Sequence, residues 1–299
     1  DPSLILGYHV VPGKWLLQGG TTGGGGVMRW FEREFAAYER SRKADTGKSS
    51  LEQLNEIAEA VPAGSEGVVF LPYMSGERSP VWNPYAKGVF YGLDFAKTKG
   101  HMVRACMEGV AFSLRHNLEV AEAAGAKAEV LRAMGGSANS LLWTQIKADV
   151  TGKAVVVPAS DTATTLGAAI LAGVGVGFYK DYEEAVSMTV KETRRHEPNP
   201  ENKEVYNKTY RTYRDLYESL KAMMVRKYFK MKAAVVVANE DVQYQEIEEP
   251  QAKPGWVKIK VKASGICGSD VPRVLNHGVH FYPIVLGHEF SGDVVDVGE

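Results

Sequence analysis

Two stretches of this chain carry residue types at spacings that support chemistry. The first is Met134-Gly135-Gly136-Ser137-Ala138-Asn139-Ser140, which follows the apolar run Val130–Met134 and leads into a helical pattern. Two glycines after a strand let the backbone turn tightly and approach a ligand, and the helix behind them offers free N–H groups and the positive end of its dipole. That suits a nucleotide, although a Gly-Gly turn capped by Ser or Asn is also a common structural device. The second stretch is Gly265-Ile266-Cys267-Gly268-Ser269-Asp270, with Gly287-His288-Glu289 following at a Cys-to-His spacing of twenty-one. Thiolate, imidazole and carboxylate are ligands of zinc, and a catalytic zinc keeps one position open for water or substrate. The same letters also fit a lone buried cysteine. A third feature, the run Gly23–Gly26, reads either as a close approach to phosphate or as a flexible lead-in to a helix.

The elements that must position these residues change character near residue 230. Before it, helical patterns over about Gly26–Arg40, Lys99–Ala124, Asn139–Thr151 and Thr164–Val174 alternate with short strands at Gly67–Leu71, Val89–Leu93, Val130–Met134 and Ala154–Val157. Such alternation specifies an α/β domain. Glu201 to Lys227 reads as one long helix, with Val205, Tyr206, Tyr210, Tyr213, Leu216, Tyr217 and Leu220 at helical spacing. Lys230-Met231-Lys232 then runs directly into the strand Ala233–Val237, with no Gly/Ser or Pro linker between. A join at a Met without a linker reads as two reading frames run together; an ordinary helix-to-strand connection within one domain is the alternative.

Composition bounds the partners. The chain has 299 residues, 44% hydrophobic and 24% charged, which is ordinary for a globular protein of one to three domains. A net charge of -1 gives no footprint of a general nucleic-acid binder. No apolar run reaches the length of a membrane span, and Asp1-Pro2-Ser3 lacks the basic and apolar regions of a signal peptide. The only two cysteines, Cys106 and Cys267, lie in different halves, which argues against a disulfide framework and for a reducing, cytoplasmic setting. Oligomeric state is not legible.

The stretch Met134–Gly152 resembles the adenosine-contacting segment of FGGY carbohydrate kinases, on their xylulokinase branch. Gly88–Leu93 followed by His101–Glu108 resembles that family's second signature, with Cys106 in a place the pattern gives to another small or aliphatic residue. Phe70–Pro80 and Thr165–Ala169 are similar as well, so the resemblance covers residues 1–229. It implies an actin-like (ribonuclease-H-like) ATPase fold, of which this is most of the second domain. It further implies phosphorylation of a ketopentose such as xylulose, or a related sugar, by ATP with Mg2+. Carried over to this chain, Gly25 would approach the nucleotide phosphates with Arg29 close by, Gly135 and Gly136 would lie beside the adenosine, and Asn139 and Ser140 would reach the base or ribose. Arg78 reads as a partner of Glu77 or a loop cap, and His101 and His116 as structural or surface residues. In this family the catalytic base, the first phosphate loop and most sugar contacts belong to the first domain, and the second phosphate loop would fall just before Asp1. The expectation is therefore part of a nucleotide shelf, without sugar phosphorylation by the chain alone.

From Met231 to Glu299 the resemblance changes. Gly287-His288-Glu289-Phe290-Ser291-Gly292 followed by Gly298 resembles the zinc-alcohol-dehydrogenase signature, and with Asp270–Arg273 and Phe281–Ile284 it looks most like polyol dehydrogenases of the sorbitol and galactitol-1-phosphate types. This implies the opening of a GroES-like β domain in which Cys267 and His288 ligate Zn2+, with Glu289 as a third or exchanging ligand. Ser269 would relay a proton or cap the turn. A dinucleotide-binding Gly-x-Gly-x-x-Gly turn would come later than Glu299, so no dehydrogenase activity is expected. Three readings stand: a kinase-derived chain carrying a dehydrogenase fragment, a dehydrogenase fragment proper, and a non-catalytic merged or truncated product.

Overall fold

The computed structural model describes residues 3–159, 162–226 and 230–298. The chain divides into two compact units, Asp1–Met224 and Val225–Glu299. The join expected at Met231 adjoins residues 227–229, which lie outside the described residues, as do Asp1, Pro2 and Glu299.

The first unit opens with an antiparallel hairpin, β1 (Ile5–Tyr8) and β2 (Trp15–Gln18). Helices α1 (Gly26–Phe35), α2 (Ala37–Ser41), α3 (Lys43–Thr46) and α4 (Ser50–Glu59) follow. The single helix expected from Gly26 to Arg40 is thus broken at Ala36, where φ is -105° and ψ 33°. The Arg40 guanidinium folds back on the end of α1, donating to the carbonyls of Glu32 and Arg33 and to the Glu32 carboxylate, so the freed carbonyls keep partners. Helix α4 was not anticipated, although Ser49-Ser50-Leu51-Glu52 carries a capping box: Ser49 Oγ accepts from Glu52 N–H, and the Glu52 carboxylate accepts from Ser49 N–H.

Strands β3 (Val69–Leu71) and β4 (Val89–Tyr91) pair antiparallel, and α5 (Lys99–Ala123) packs across β3. Gly109 allows this crossing, because an added Cβ would collide with the carbonyl of Phe70. His101 shapes the start of α5. Its Nδ1 accepts from Thr98 N–H at 3.1 Å and its Nε2 lies 3.2 Å from the Glu66 carboxylate, so the ring is a structural cap, as expected. His116, further along α5, is held neutral at ordinary pH, its pKa pushed down to about 4 by burial.

A three-stranded sheet of order β5-β6-β7 closes the unit: β5 (Val130–Arg132) is parallel to β6 (Ala154–Pro158), and β7 (Glu192–His196) pairs antiparallel on the other side. Between β5 and β6 a 3-10 turn, Gly136–Asn139, precedes α6 (Leu141–Thr151), so the expected helix starts two residues late. Helices α7 (Ala163–Gly175) and α8 (Tyr182–Thr189) lie between β6 and β7, and α9 (Lys203–Arg226) ends the series. On α9, Tyr206 and Tyr213 are fully buried and Tyr210 nearly so, on the face that the sequence spacing marked. They pack around Phe112 of α5.

The middle of α5 carries a buried ion pair. Glu108, 1% exposed, accepts from Gly64 N–H at 2.9 Å, Ser65 Oγ at 2.7 Å, Arg104 Nε at 2.9 Å and Tyr206 OH at 3.1 Å. Arg104 in turn donates to Tyr206 OH at 3.1 Å and Ala58 O at 3.4 Å. The group joins the end of α4, the turn before β3, α5 and α9. Burial pushes the Glu108 carboxyl above its usual range, opposed by the Arg104 charge and the surrounding donors.

The second unit has two antiparallel hairpins. One is β8 (Lys230–Ala238) with β9 (Asp241–Glu248). The other is β10 (Val257–Ser264) with β11 (Phe290–Val297), and between β10 and β11 lies the short helix α10 (Asp270–Leu275). The Val236 and Ile284 main chains exchange two hydrogen bonds, at 2.8 and 3.1 Å, which ties the segment before His288 to β8. Among the described residues, buried apolar side chains are few here: Ala233, Val235 and Val236.

Removing the Glu108 carboxylate should be costly, because it strands a buried guanidinium. Glu108→Ala is expected to destabilise the first unit by about 3–5 kcal/mol, and Glu108→Gln by less. Denaturant unfolding followed by tryptophan fluorescence would measure this, since four of the five tryptophans lie in that unit. Wild-type stability in the Ala variant would mean that the buried pair does not organise the core.

Candidate functional site

The approach to the glycine run is held by a second buried carboxylate. Glu77, 3% exposed, accepts from Thr21 Oγ1 at 2.7 Å, Thr22 N–H at 2.9 Å and Arg78 N–H at 2.8 Å. Thr22 Oγ1 also donates to the Gly76 carbonyl. Arg78 thus meets Glu77 through its backbone. The four glycines that follow have different tasks. An added Cβ at Gly23 would collide with the Pro72 carbonyl, and Gly24 has φ +38°, so the fold itself needs these two. Gly25 and Gly26 have ordinary φ and nothing within 4 Å of an added Cβ, so nothing in the fold demands glycine there.

Gly25 and Gly26 open onto a cavity of about 830 Å³. From α1 it receives Arg29, from α4 Asn55, and from the turn before α6 Gly136, Asn139 and Ser140. Five of the six nucleotide residues named from sequence therefore share one wall system. Gly135 does not line it; its φ of +79° makes the turn that presents Gly136. An added Cβ at Gly136 would meet nothing within 4 Å.

The polar groups around this cavity differ in how free they are. Ser140 Oγ accepts from Trp143 N–H at 3.0 Å, capping α6, and donates to Asn55 Oδ1 at 3.2 Å, so its hydroxyl is committed to the fold. The exposed Asn139 amide and the exposed Arg29 guanidinium have no protein hydrogen-bond or ion-pair partner among the described residues. A cavity of this size with a free cation, a free amide and two glycine-smoothed patches can hold a large polar ligand bearing negative charge. Asn55 and Trp143 were not named as candidates from the sequence, and Glu77 was named only as a partner of Arg78. The capping box at Ser49 was the signal that could have drawn attention to Asn55, one turn into α4.

The second candidate site arises from strand pairing. Ser264 at the end of β10 stands opposite Phe290 at the start of β11, and Gly265 N–H donates to Glu289 O at 2.8 Å. Cys267 follows Gly265 by two residues and His288 precedes Glu289 by one, so extending the ladder brings the two motifs together. The Cys267 sulfur, a His288 ring nitrogen and a Glu289 carboxylate oxygen lie within 4.8 Å of one another. A tetrahedral zinc with bonds of 2.0–2.3 Å would need these atoms about 3.3–3.8 Å apart, so small side-chain movements suffice, and the donor set fits the metal. Asp270 supports the cluster: its Oδ2 accepts from Cys267 N–H at 3.2 Å and its Oδ1 lies 3.5 Å from His288 Nδ1. Ser269 precedes α10 without a side-chain cap bond, so the turn-capping alternative does not hold. Cys106 is fully buried, and burial pushes its thiol up, which makes it inert. Among the described residues no helix is long and apolar enough to cross a membrane.

Comparison with known proteins agrees with this division. Residues 2–176 match the family model "FGGY family of carbohydrate kinases, C-terminal domain", and residues 253–299 match "Alcohol dehydrogenase GroES-like domain". The gluconokinase of Bacillus subtilis is 35% identical over 225 residues, which are 75% of this chain and 43% of that protein. The xylulose kinase of Staphylococcus epidermidis is 30% identical over 223 residues, with the same coverage, 75% and 43%. The crystal structure of xylulose kinase from Rhodospirillum rubrum superposes with a TM-score of 0.65 at 33% identity, covering 76% of this chain and 44% of that one. The chain thus spans less than half the length of the relatives it matches. The α/β architecture is that of the actin-like ATPases to which these kinases belong. With the family model covering more than half of its residues, the chain belongs to the FGGY family of carbohydrate kinases, matching their C-terminal domain.

Proposed function

We propose that the first unit supplies the nucleotide-binding wall of a kinase that transfers phosphate from ATP, with Mg2+, to a sugar hydroxyl. The acceptor class is a ketopentose such as xylulose or a related sugar. The observation that carries this reading is the single cavity on which Gly25, Arg29, Gly136 and Asn139 converge. Glycines that the fold does not require, beside an unpaired cation and an unpaired amide, fit a ligand that presses against backbone and brings its own negative charge. In this reading Gly136 and Asn139 border the adenosine, Gly25 and Arg29 face the phosphates, and Mg2+ travels with the phosphate oxygens.

Valine at position 136 should fill ligand space while leaving the fold intact, because an added Cβ there meets nothing within 4 Å. Gly136→Val is expected to weaken ADP binding by at least about tenfold, some 1.4 kcal/mol, with unchanged thermal unfolding. Titration calorimetry reads the first and a melting curve the second. Equal ADP affinity in both proteins would show that the nucleotide lies elsewhere.

For the second unit we propose a zinc site of Cys267, His288 and Glu289 with the fourth position open, as in a polyol dehydrogenase. The favouring observation is the convergence of these three donors from two separate motifs. When bound, the metal would supply Lewis-acid polarisation of an alcohol oxygen. The residues of this chain hold it, with Asp270 Oδ1 standing 3.5 Å from His288 Nδ1. Zinc measured by elemental analysis is expected in the wild-type chain and absent from Cys267→Ser. Substituted Co2+ should show a thiolate charge-transfer band only in the wild type. Equal metal in both proteins would remove the thiolate from the site.

A further inference from the structure

Next to the large cavity lies a smaller one of about 220 Å³, bordered by the glycine run, α5, α6 and the turn before α6. Its walls include Gly25, Val110, Leu114, Ser137 and Trp143, and Lys147 is the one titratable residue among them. Lys147 stands one helical turn beyond Trp143 on α6 and is half-buried. Its Nζ donates to Ser137 Oγ at 3.0 Å and sits 4.9 Å from the Trp143 ring centre. The ring is itself fixed, since Trp143 Nε1 donates to Met107 O at 3.0 Å. The amine is thus held from two sides on a side chain that borders open space.

What Lys147 lacks is a carboxylate. Other sheltered lysines of this chain each face one: Lys97 meets Glu66 at 3.1 Å, Lys99 meets Glu39 at 2.8 Å, Lys153 meets Glu122 at 2.6 Å and Lys258 meets Glu249 at 2.9 Å. A carboxylate keeps such an amine charged. Lys147 has no ion-pair partner among the described residues, and the cavity wall carries no acid. Burial without a counter-charge favours the neutral amine and lowers the Lys147 pKa to about 8. At neutral pH about one molecule in ten then carries a free lone pair on this nitrogen, against fewer than about one in a thousand for an ordinary lysine.

We propose that Lys147 Nζ is an acylation site, which takes a short acyl group such as acetyl from an acyl phosphate. The cavity supports both choices. Val110 and Leu114 offer an apolar wall to the acyl chain, and a space of this volume admits a small donor and excludes a bulky one. A wall without acids suits a donor that is an anion. In the step, the nitrogen lone pair attacks the carbonyl carbon and a C–N bond forms. The bond from that carbon to the phosphate oxygen breaks, and its electron pair leaves with the phosphate. The proton shed by the nitrogen goes to the leaving phosphate, which departs as hydrogen phosphate. The product is a neutral amide that keeps one N–H for Ser137 Oγ, with the acyl group filling the space beside Gly25.

The probe is acetyl phosphate, applied to the full chain at neutral pH and followed over time by peptide mass spectrometry. Lys147 is expected to be acetylated at least about tenfold faster than the carboxylate-paired Lys97, Lys99 and Lys153. Unfolding the chain in urea should remove that preference, because it belongs to the cavity and not to the local sequence. Intact mass gives a second readout: the count of rapidly added acetyl groups should fall by one in Lys147→Arg, which keeps the charge and has no acylatable amine. Lys147 reacting no faster than the paired lysines, a preference that survives in urea, or an unchanged count in Lys147→Arg would each overturn the proposal.

Discussion

A carboxylate with no access to water organises the first unit. Glu108 sits on the inner face of α5 and collects four donors from three separate segments, the turn at Gly64 and Ser65, its own helix through Arg104, and α9 through Tyr206. Once a charge is buried, each of its lone pairs must be satisfied, and that requirement dictates where the neighbouring segments run. Replacing such a group by apolar side chains can be neutral, so its worth lies in the arrangement it selects more than in net stability. The Arg104 contact with Ala58 O carries the constraint to the end of α4, the helix that contributes Asn55 to the large cavity.

Glu77 repeats the device on a smaller scale. It fixes Thr21 and Thr22, and Gly23 then packs against Pro72, so the chain reaches Gly25 in a defined position. The wall opposite depends on the turn at Gly135 and the cap at Ser140. Both walls are thus backbone surfaces held from behind by committed polar groups, which leaves Arg29 and Asn139 uncommitted in front. A ligand that binds backbone needs this rigidity, because the cost of ordering the loop is already met in folding.

The second unit follows a different logic. Its buried apolar content is small, and most of β10 and all of β11 are exposed. Main-chain pairing dominates: the β10–β11 ladder carries Gly265 to Glu289, and the Val236–Ile284 exchange steadies the segment that leads to His288. Three donors from motifs about twenty residues apart meet because the register of one hairpin places them on the same end. With so little core, metal binding and folding are expected to be linked in this unit.

Local signals in the sequence determined a good deal. Periodicity placed α5, β3, β4, β6 and α9 within a few residues and marked the buried tyrosine face, because an amphipathic pattern records which side of an element meets the core. The motifs at Gly135-Gly136 and at Cys267 with His288-Glu289 were legible because their chemistry needs particular residue types at close spacing. The hairpin β1–β2, α4, α8 and β7 were missed, as was the break at Ala36. The capping box at Ser49 was there to be read, but the break rests on Arg40 returning to the end of α1, a contact that no local window contains. Likewise, nothing in the letters separates Gly23 and Gly24, which the fold requires, from Gly25 and Gly26, which it does not. Nor could the letters bring Asn55 to the cavity that Gly25 and Gly136 line. Those distinctions depend on which atoms stand opposite, and only tertiary packing decides that, since burial and unmet hydrogen-bonding capacity are properties of a neighbourhood assembled from distant parts of the chain.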